Sequence, residues 1–235
     1  MAEAVYREQV ALLLRTLPLI AEEDCFALKG GTAINLFVRE MPRLSIDIDL
    51  VYLPINDREQ SLQSIDAALR RIAACILAIH KGSRVQYSAL TGSKYVMKLV
   101  VRQGAAQSKI EVTPMLRGTV FASEERDVVG VVESEFGYAR IQVVSFEDLY
   151  AGKVVAALDR QHPRDLFDVM LLLANEGISR EMFEAFLVYL ISHDRPMAEI
   201  LAPVRRDIRQ EYERGFVGMT NQHVELHDLE KLENN

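Results

Sequence analysis

A chain of 235 residues, 49% of them hydrophobic, carries enough apolar material for one large core or two modest ones, and its formal net charge of −7 excludes a uniformly basic nucleic-acid binder. Two cysteines, Cys25 and Cys75, in no metal-ligand spacing, exclude a disulfide framework and a zinc site; two buried thiols in a reducing cytosol are expected. No apolar run reaches membrane-spanning length, and an N-terminus with Glu3, Arg7 and Glu8 lacks a signal-peptide pattern, so a cytoplasmic protein with no membrane partner is expected.

In chain order, residues 5–20 place Val10, Leu13, Leu14 and Leu17 at helical spacing, with Pro18 expected to bend or end the helix. A short apolar strand from Phe26 then leads into Gly30 and Gly31, a turn that lets the backbone approach a ligand closely. The helix expected from Thr32 offers unpaired N–H groups and a positive dipole end to a phosphate. In the next strand Asp47 and Asp49 alternate with Ile46, Ile48 and Leu50, so the period of two puts both carboxylates on one face. Mg²⁺ is commonly held by one or two carboxylates plus substrate phosphates, and the stretch therefore reads as metal and phosphate chemistry.

Asn56 and Asp57 mark a turn and cap before a helix over residues 60–80, whose apolar stripe is core. Runs at 84–89, 95–102 and 109–115 read as an antiparallel meander extending the aspartate strand's sheet. Between residues 69 and 118 nine Lys or Arg stand against one acid, Glu111; this basic field suits a polynucleotide or a nucleotide as well as it suits solvated strand faces. Residues 128–136 read as a strand or loop crossing to a second lobe, and Ser145 with Asp148 as a capping box that opens it.

The second lobe is helical in pattern through Tyr212. Pro163 suits a first helical turn, Asp165 and Asp168 complement that helix's dipole, and His162 reads as a loop residue. A helix over 179–193 is expected to bury Met182, Phe183, Phe186, Leu187 and Leu190. A helix over 204–215 carries alternating charge, and the acidic tail from Glu225 is expected to fray.

Gly30-Gly31-Thr32 followed by Asp47-Ile48-Asp49 resembles the signature of polymerase-beta-type nucleotidyltransferases, with Thr32 where many members have Ser. The wider string, Leu28 to Ala33 and Leu44 to Leu50, is similar to the AbiEii/AbiGii toxin family, which includes MenT-like members. Lys109-Ile110-Glu111-Val112 with Arg117-Gly118, and Lys153 followed by Arg164-Asp165 and Asp168, resemble further segments of that family, so the likeness spans both lobes.

The resemblance implies an α/β fold: a mixed sheet flanked by helices over residues 1–144, and a helical lobe over 145–235 closing a nucleotide cleft. It implies a metal-dependent transfer in which Asp47 and Asp49 hold Mg²⁺, or Mn²⁺ in its place, with Glu111 on a second metal. Gly30, Gly31 and Thr32 would cradle the phosphates of an NTP, and Lys153 would neutralise them. From the residues alone Glu111 also fits an exposed strand face and Lys153 an interhelical ion pair. Arg164, Asp165 and Asp168 either hold Lys153 and the helix pair in place or supply a base for the attacking hydroxyl.

Members of the family are toxins of toxin–antitoxin or phage-defence pairs, and some extend the acceptor end of tRNA. The implied function is thus a growth-inhibiting transferase of NMP onto RNA, with an antitoxin encoded alongside. Two other readings suit the same residues: transfer to a small-molecule or protein hydroxyl, and a non-catalytic NTP- or RNA-binding interaction protein.

Overall fold

The computed structural model describes residues 2–89 and 91–232, and the chain divides into two compact units. The first comprises Met1–Met41, Ser45–Thr119 and Ser123–Val144; the second comprises Pro42–Leu44, Val120–Ala122 and Ser145–Asn235. Among the described residues no helix is long and apolar enough to cross a membrane.

The first unit is built on a seven-stranded mixed sheet of order β3-β4-β5-β2-β1-β7-β6. Its strands are β1 (Phe26–Lys29), β2 (Asp47–Tyr52), β3 (Arg84–Ala89), β4 (Val96–Gln103), β5 (Ala106–Arg117), β6 (Glu124–Asp127) and β7 (Arg140–Val143). The meander β3-β4-β5 is antiparallel, as its turn signals indicate, and β5 joins β2 in parallel. β1 is antiparallel to β2 and parallel to β7, so the glycine turn leaves the middle of the sheet. Such a central strand is buried on both faces, which is why Phe26, Ala27 and Leu28 form a continuous apolar run.

Helix α1 (Ala2–Ala21) lays Val10, Leu13, Leu17 and Ile20 into this core. Pro18 lies inside the last turn and removes one intrahelical N–H donor, yet the helix does not end there and continues to Ala21. Helix α3 (Arg58–Ile79) starts at Asp57, whose carboxylate accepts from the Gln60 amide, and buries Leu62, Ile65, Leu69, Ile72 and Ile76. Of the two thiols expected to be buried, Cys25 is half-buried and Cys75 is exposed on the outer side of α3.

Residues 128–136 depart from the strand or loop expected of them. They contain a short helix, α4 (Gly130–Phe136), inside the first unit, and the chain then returns to the sheet as β7. β6 at the sheet edge reads Glu-Glu-Arg-Asp, a charged pattern that discourages edge-to-edge pairing and hides the strand from hydrophobic periodicity.

In the second unit α5 (Phe146–Arg160) packs on α6 (Pro163–Asn175) and α7 (Arg180–Ile191). Gly152 lets α5 approach α7 closely, since a Cβ there would sit 3.2 Å from the Tyr189 ring. Ser145 caps α5 by accepting from the Asp148 amide, and its hydroxyl in turn donates to Asp148 Oδ2 at 2.9 Å. The same carboxylate also accepts from the amides of Val120 and Phe121 and from the Tyr189 hydroxyl.

On α7, Met182 and Leu190 are buried as expected, whereas Phe183 and Leu187 are about half exposed. Residues 204–208 are not helical, and only α9 (Arg209–Gly215) follows the short α8 (Met197–Leu201). The tail is ordered as α10 (Leu226–Leu232), with Leu229 fully buried beside Phe167 and Phe216; its last three residues, 233–235, lie outside the described residues. Leu226 and Leu232, three residues to either side of Leu229, pack against the same cluster.

Candidate active site

The glycine turn opens directly from β1. Gly30 has φ +75°, and a Cβ at this position would lie 2.7 Å from Asp49 Oδ2. Only glycine permits both the left-handed backbone and that approach. The helix begins at Gly30, earlier than expected, as one α-turn over Gly30–Ala33 and a π-helical segment over Ile34–Val38. A π segment widens the backbone locally and often marks functional positions. The first amides of any helix lack intrahelical acceptors, and in this one they are those of Gly30 and Gly31.

Thr32 is fully buried, and its hydroxyl donates to the Asp47 carbonyl at 2.5 Å and lies 3.0 Å from Ser45 Oγ. It thus acts on the site by fixing the aspartate strand. Asn35 holds the other end of the turn, its side-chain amide donating to the Gly31 carbonyl at 2.8 Å. Ser45 also donates its backbone amide to the Tyr6 hydroxyl at 3.1 Å, and Ser108 Oγ donates to the Ile46 carbonyl at 3.2 Å. These fixings depend on contacts distant in sequence, and no local signal announces Asn35, Ser45 or Ser108.

Asp47 and Asp49 share one face of β2, with Ile48 and Leu50 fully buried on the other. In the parallel ladder Asp49 is the register partner of Glu111, and Asp47 that of Lys109. Antiparallel pairing adds Lys29 opposite Asp49 on β1 and Lys98 opposite Glu111 on β4. Register partners point to the same face, so Lys29, Asp49, Glu111 and Lys98 form one row across four strands, with Lys109 and Asp47 in the next. The sheet therefore brings the three expected carboxylates to one face and surrounds them with lysines, which periodicity in single strands does not reveal.

Lys109 Nζ lies 3.1 Å from Glu111 Oε2 and 3.8 Å from Asp47 Oδ2, and Lys98 Nζ lies 3.4 Å from Glu111 Oε2. Partial burial opposes the charged form of Lys109, but the Glu111 hydrogen bond and the Asp47 and Asp49 charges outweigh it and raise its pKa. Glu111 is the counterpart: burial works to raise its pKa, yet the two lysines hold its carboxyl below the usual carboxylate range.

Among the described residues no three His, Cys, Asp or Glu side chains stand close enough together to enclose an ion. Asp47 and Asp49 supply hard oxygen donors on one face of β2, and the glycine turn at Gly30 approaches the Asp49 carboxylate closely. That donor set fits Mg²⁺ or Mn²⁺ completed by phosphate oxygens.

Lys153, Asp165 and Asp168 meet within the second unit. Lys153 Nζ, on α5, is 2.8 Å from Asp165 Oδ1 and 3.1 Å from Asp168 Oδ2, both on α6. Arg43 forks onto Asp168, and Arg160 reaches Asp165 Oδ2 at 2.8 Å. Burial works to raise the pKa of Asp165, but Lys153 and Arg160 bring it below the ordinary carboxylate value. His162 lies in the two-residue connection between α5 and α6, as expected of a loop residue, and it also caps α6, its Nδ1 accepting from the Arg164 amide; burial lowers its pKa.

The family model for the AbiEii nucleotidyl transferase toxin of type IV toxin–antitoxin systems matches residues 11–234. No curated protein sequence matches the chain. Among solved structures it is similar to MenT4, a nucleotidyltransferase toxin from Mycobacterium tuberculosis H37Rv, with a TM-score of 0.68 and 17% identity over 96% of this chain and 82% of that one. At that identity the likeness speaks for the mixed α/β fold.

Proposed function

We propose, for a chain that belongs to the AbiEii family of type IV toxin–antitoxin nucleotidyltransferases, that Asp47, Asp49 and the Gly30-Gly31 turn form a divalent-metal and triphosphate site for transferring NMP to RNA. The observation that carries this reading is the approach of the left-handed Gly30 to Asp49, which sets phosphate-binding amides against the carboxylate pair. A divalent cation bound by Asp47 and Asp49 would supply Lewis-acid charge to the phosphates.

The chain's own groups do the rest. The amides of Gly30 and Gly31 bind phosphate, while Thr32, through the Asp47 carbonyl, keeps the aspartate strand in place beneath them. An RNA hydroxyl oxygen attacks the α-phosphorus, the bond to the bridging oxygen of pyrophosphate breaks, and the hydroxyl proton passes to solvent or a nearby carboxylate. Lys153, enclosed by Asp165 and Asp168, suits a positioning role inside the helical unit better than direct contact with a nucleotide.

RNA as the acceptor, with the tRNA acceptor end foremost, is supported by the toxin family and by Arg70, Lys81, Arg84, Lys94 and Arg102, which stay exposed in the first unit. An antitoxin encoded alongside the chain would be its partner in the cell. The test is incubation with each of four α-labelled NTPs, Mg²⁺ and total RNA, with Asp47→Ala in parallel. Label in a tRNA-sized band that the variant lacks is the expected result. Label that appears only on protein or small molecules, or on nothing, would overturn it.

A further inference from the structure

We propose that the carboxylate face takes a single divalent cation, and that the ammonium of Lys109 is the second positive charge of the site. This rests on the reading of Asp47 and Asp49 as metal ligands. Two-metal transferases place their ions about 3.5–4 Å apart, joined by shared acidic ligands. Here Asp47 and Glu111 are the pair that a second ion would share, and Lys109 already bridges them, at 3.8 and 3.1 Å.

The position of Lys109 follows from the backbone. It is the register partner of Asp47 in the β2–β5 ladder and stands two residues before Glu111 on the same face of β5. Lys98 is fixed in the same way opposite Glu111, at 3.4 Å. Glu111 thus has an ammonium from each of two strands, whereas among the described residues no three acidic or other ligating side chains gather to enclose an ion.

Asp47, Asp49 and Glu111 bring three negative charges, and Lys29, Lys98 and Lys109 stand as their register partners, so the carboxylates are matched before any ion binds. A second dication placed between Asp47 and Glu111 would lie against the Lys109 ammonium and be repelled by it. A lysine also remains when metal is withdrawn, so this half of the charge is permanent.

The test counts Mn²⁺, used alone as the probe, from the loss of its free-ion electron paramagnetic resonance signal. The wild type is expected to bind one ion, lost in the Asp47→Asn/Asp49→Asn double variant. Lys109→Met is expected to take two ions, or to bind the first at least about tenfold more tightly, and Lys109→Arg to behave as wild type.

Two Asp47-dependent ions on the wild type, or a Lys109→Met protein unchanged in number and affinity, would overturn the proposal while leaving the metal reading intact. No Mn²⁺ bound by the wild type, or binding that survives the double variant, would overturn both. Lys109→Gln serves if Lys109→Met does not fold, and the wild-type count decides in any case.

Discussion

Arg43 and Asp168 form a two-pronged ion pair in which Nε lies 2.7 Å from Oδ1 and Nη2 lies 2.5 Å from Oδ2, with both residues buried. Together with Lys153, Asp165 and Arg160 this makes a linked group of three cations and two anions in the second unit. Removing one member strands a buried charge. Arg43→Met or Asp168→Asn should therefore destabilise the protein by about 3–5 kcal/mol, measured by urea unfolding. An Arg43→Lys variant should recover only part of this, because an ammonium cannot match both carboxylate oxygens.

Gly30→Ala should damage function more than folding. The left-handed backbone costs about 1–2 kcal/mol with a Cβ present, and the methyl group would also press on the Asp49 carboxylate. Nucleotidyl transfer should fall by roughly 10²-fold, the scale on which small misplacements of reacting groups act. Parallel melting curves and transfer rates check it.

Asp49→Asn separates the two in the other direction. It keeps shape while removing a charge aimed at metal and phosphate, so transfer should drop by roughly 10²- to 10³-fold. Stability should change by no more than about 0.5 kcal/mol, as for a surface substitution. A loss of stability comparable to that of Arg43→Met would show that Asp49 serves the fold instead.

His162 gives stability a pH dependence. Burial, with Arg164 adding to it, depresses the imidazole pKa from its ordinary 6.5, and the neutral ring caps α6 through Nδ1. Between the two pKa values the unfolded chain binds more protons, so the contribution is full above 6.5 and is lost as pH falls through the folded value. His162→Asn should keep the cap and flatten this part of the curve. His162→Ala should lose about 1 kcal/mol at neutral pH.

The thiols should react in order. Burial, with Glu23 adding to it, pushes Cys25 up to about 11, while Cys75 is exposed. At pH 7.5 roughly one Cys25 thiol in three thousand is thiolate, so iodoacetamide should label Cys75 first. A Cys75→Ser protein should label only slowly, as mass spectrometry would show.

What the sequence disclosed was local. Alternation put Asp47 and Asp49 on one face, Asp57 announced its helix, and Pro163 began another. Family likeness directed attention to Glu111 and Lys153, which no periodicity distinguishes from solvated charge. The lysines at Asp47, Asp49 and Glu111 stayed hidden because register between β1, β2, β4 and β5 depends on strands far apart in the chain. β6 was hidden by its charge, and α10 by its shortness, seven residues whose three leucines stand among charged neighbours. Phe183 and Leu187 misled for the opposite reason: apolar spacing on α7 is wider than the face its neighbours cover.

The second unit includes two three-residue pieces that precede its helices in the chain, Pro42–Leu44 and Val120–Ala122. Arg43 within one neutralises Asp168, and the amides of Val120 and Phe121 occupy the carboxylate of Asp148. The helical unit is therefore not a cassette. A fragment cut at Ser145 would leave Asp168 without Arg43 and Asp148 without the amides of Val120 and Phe121, and recombination joining foreign halves at that point would disturb both networks at once. Because Pro42–Leu44 lies between the glycine turn and Asp47, change in the helices is heritable only in step with the loop feeding the aspartate strand.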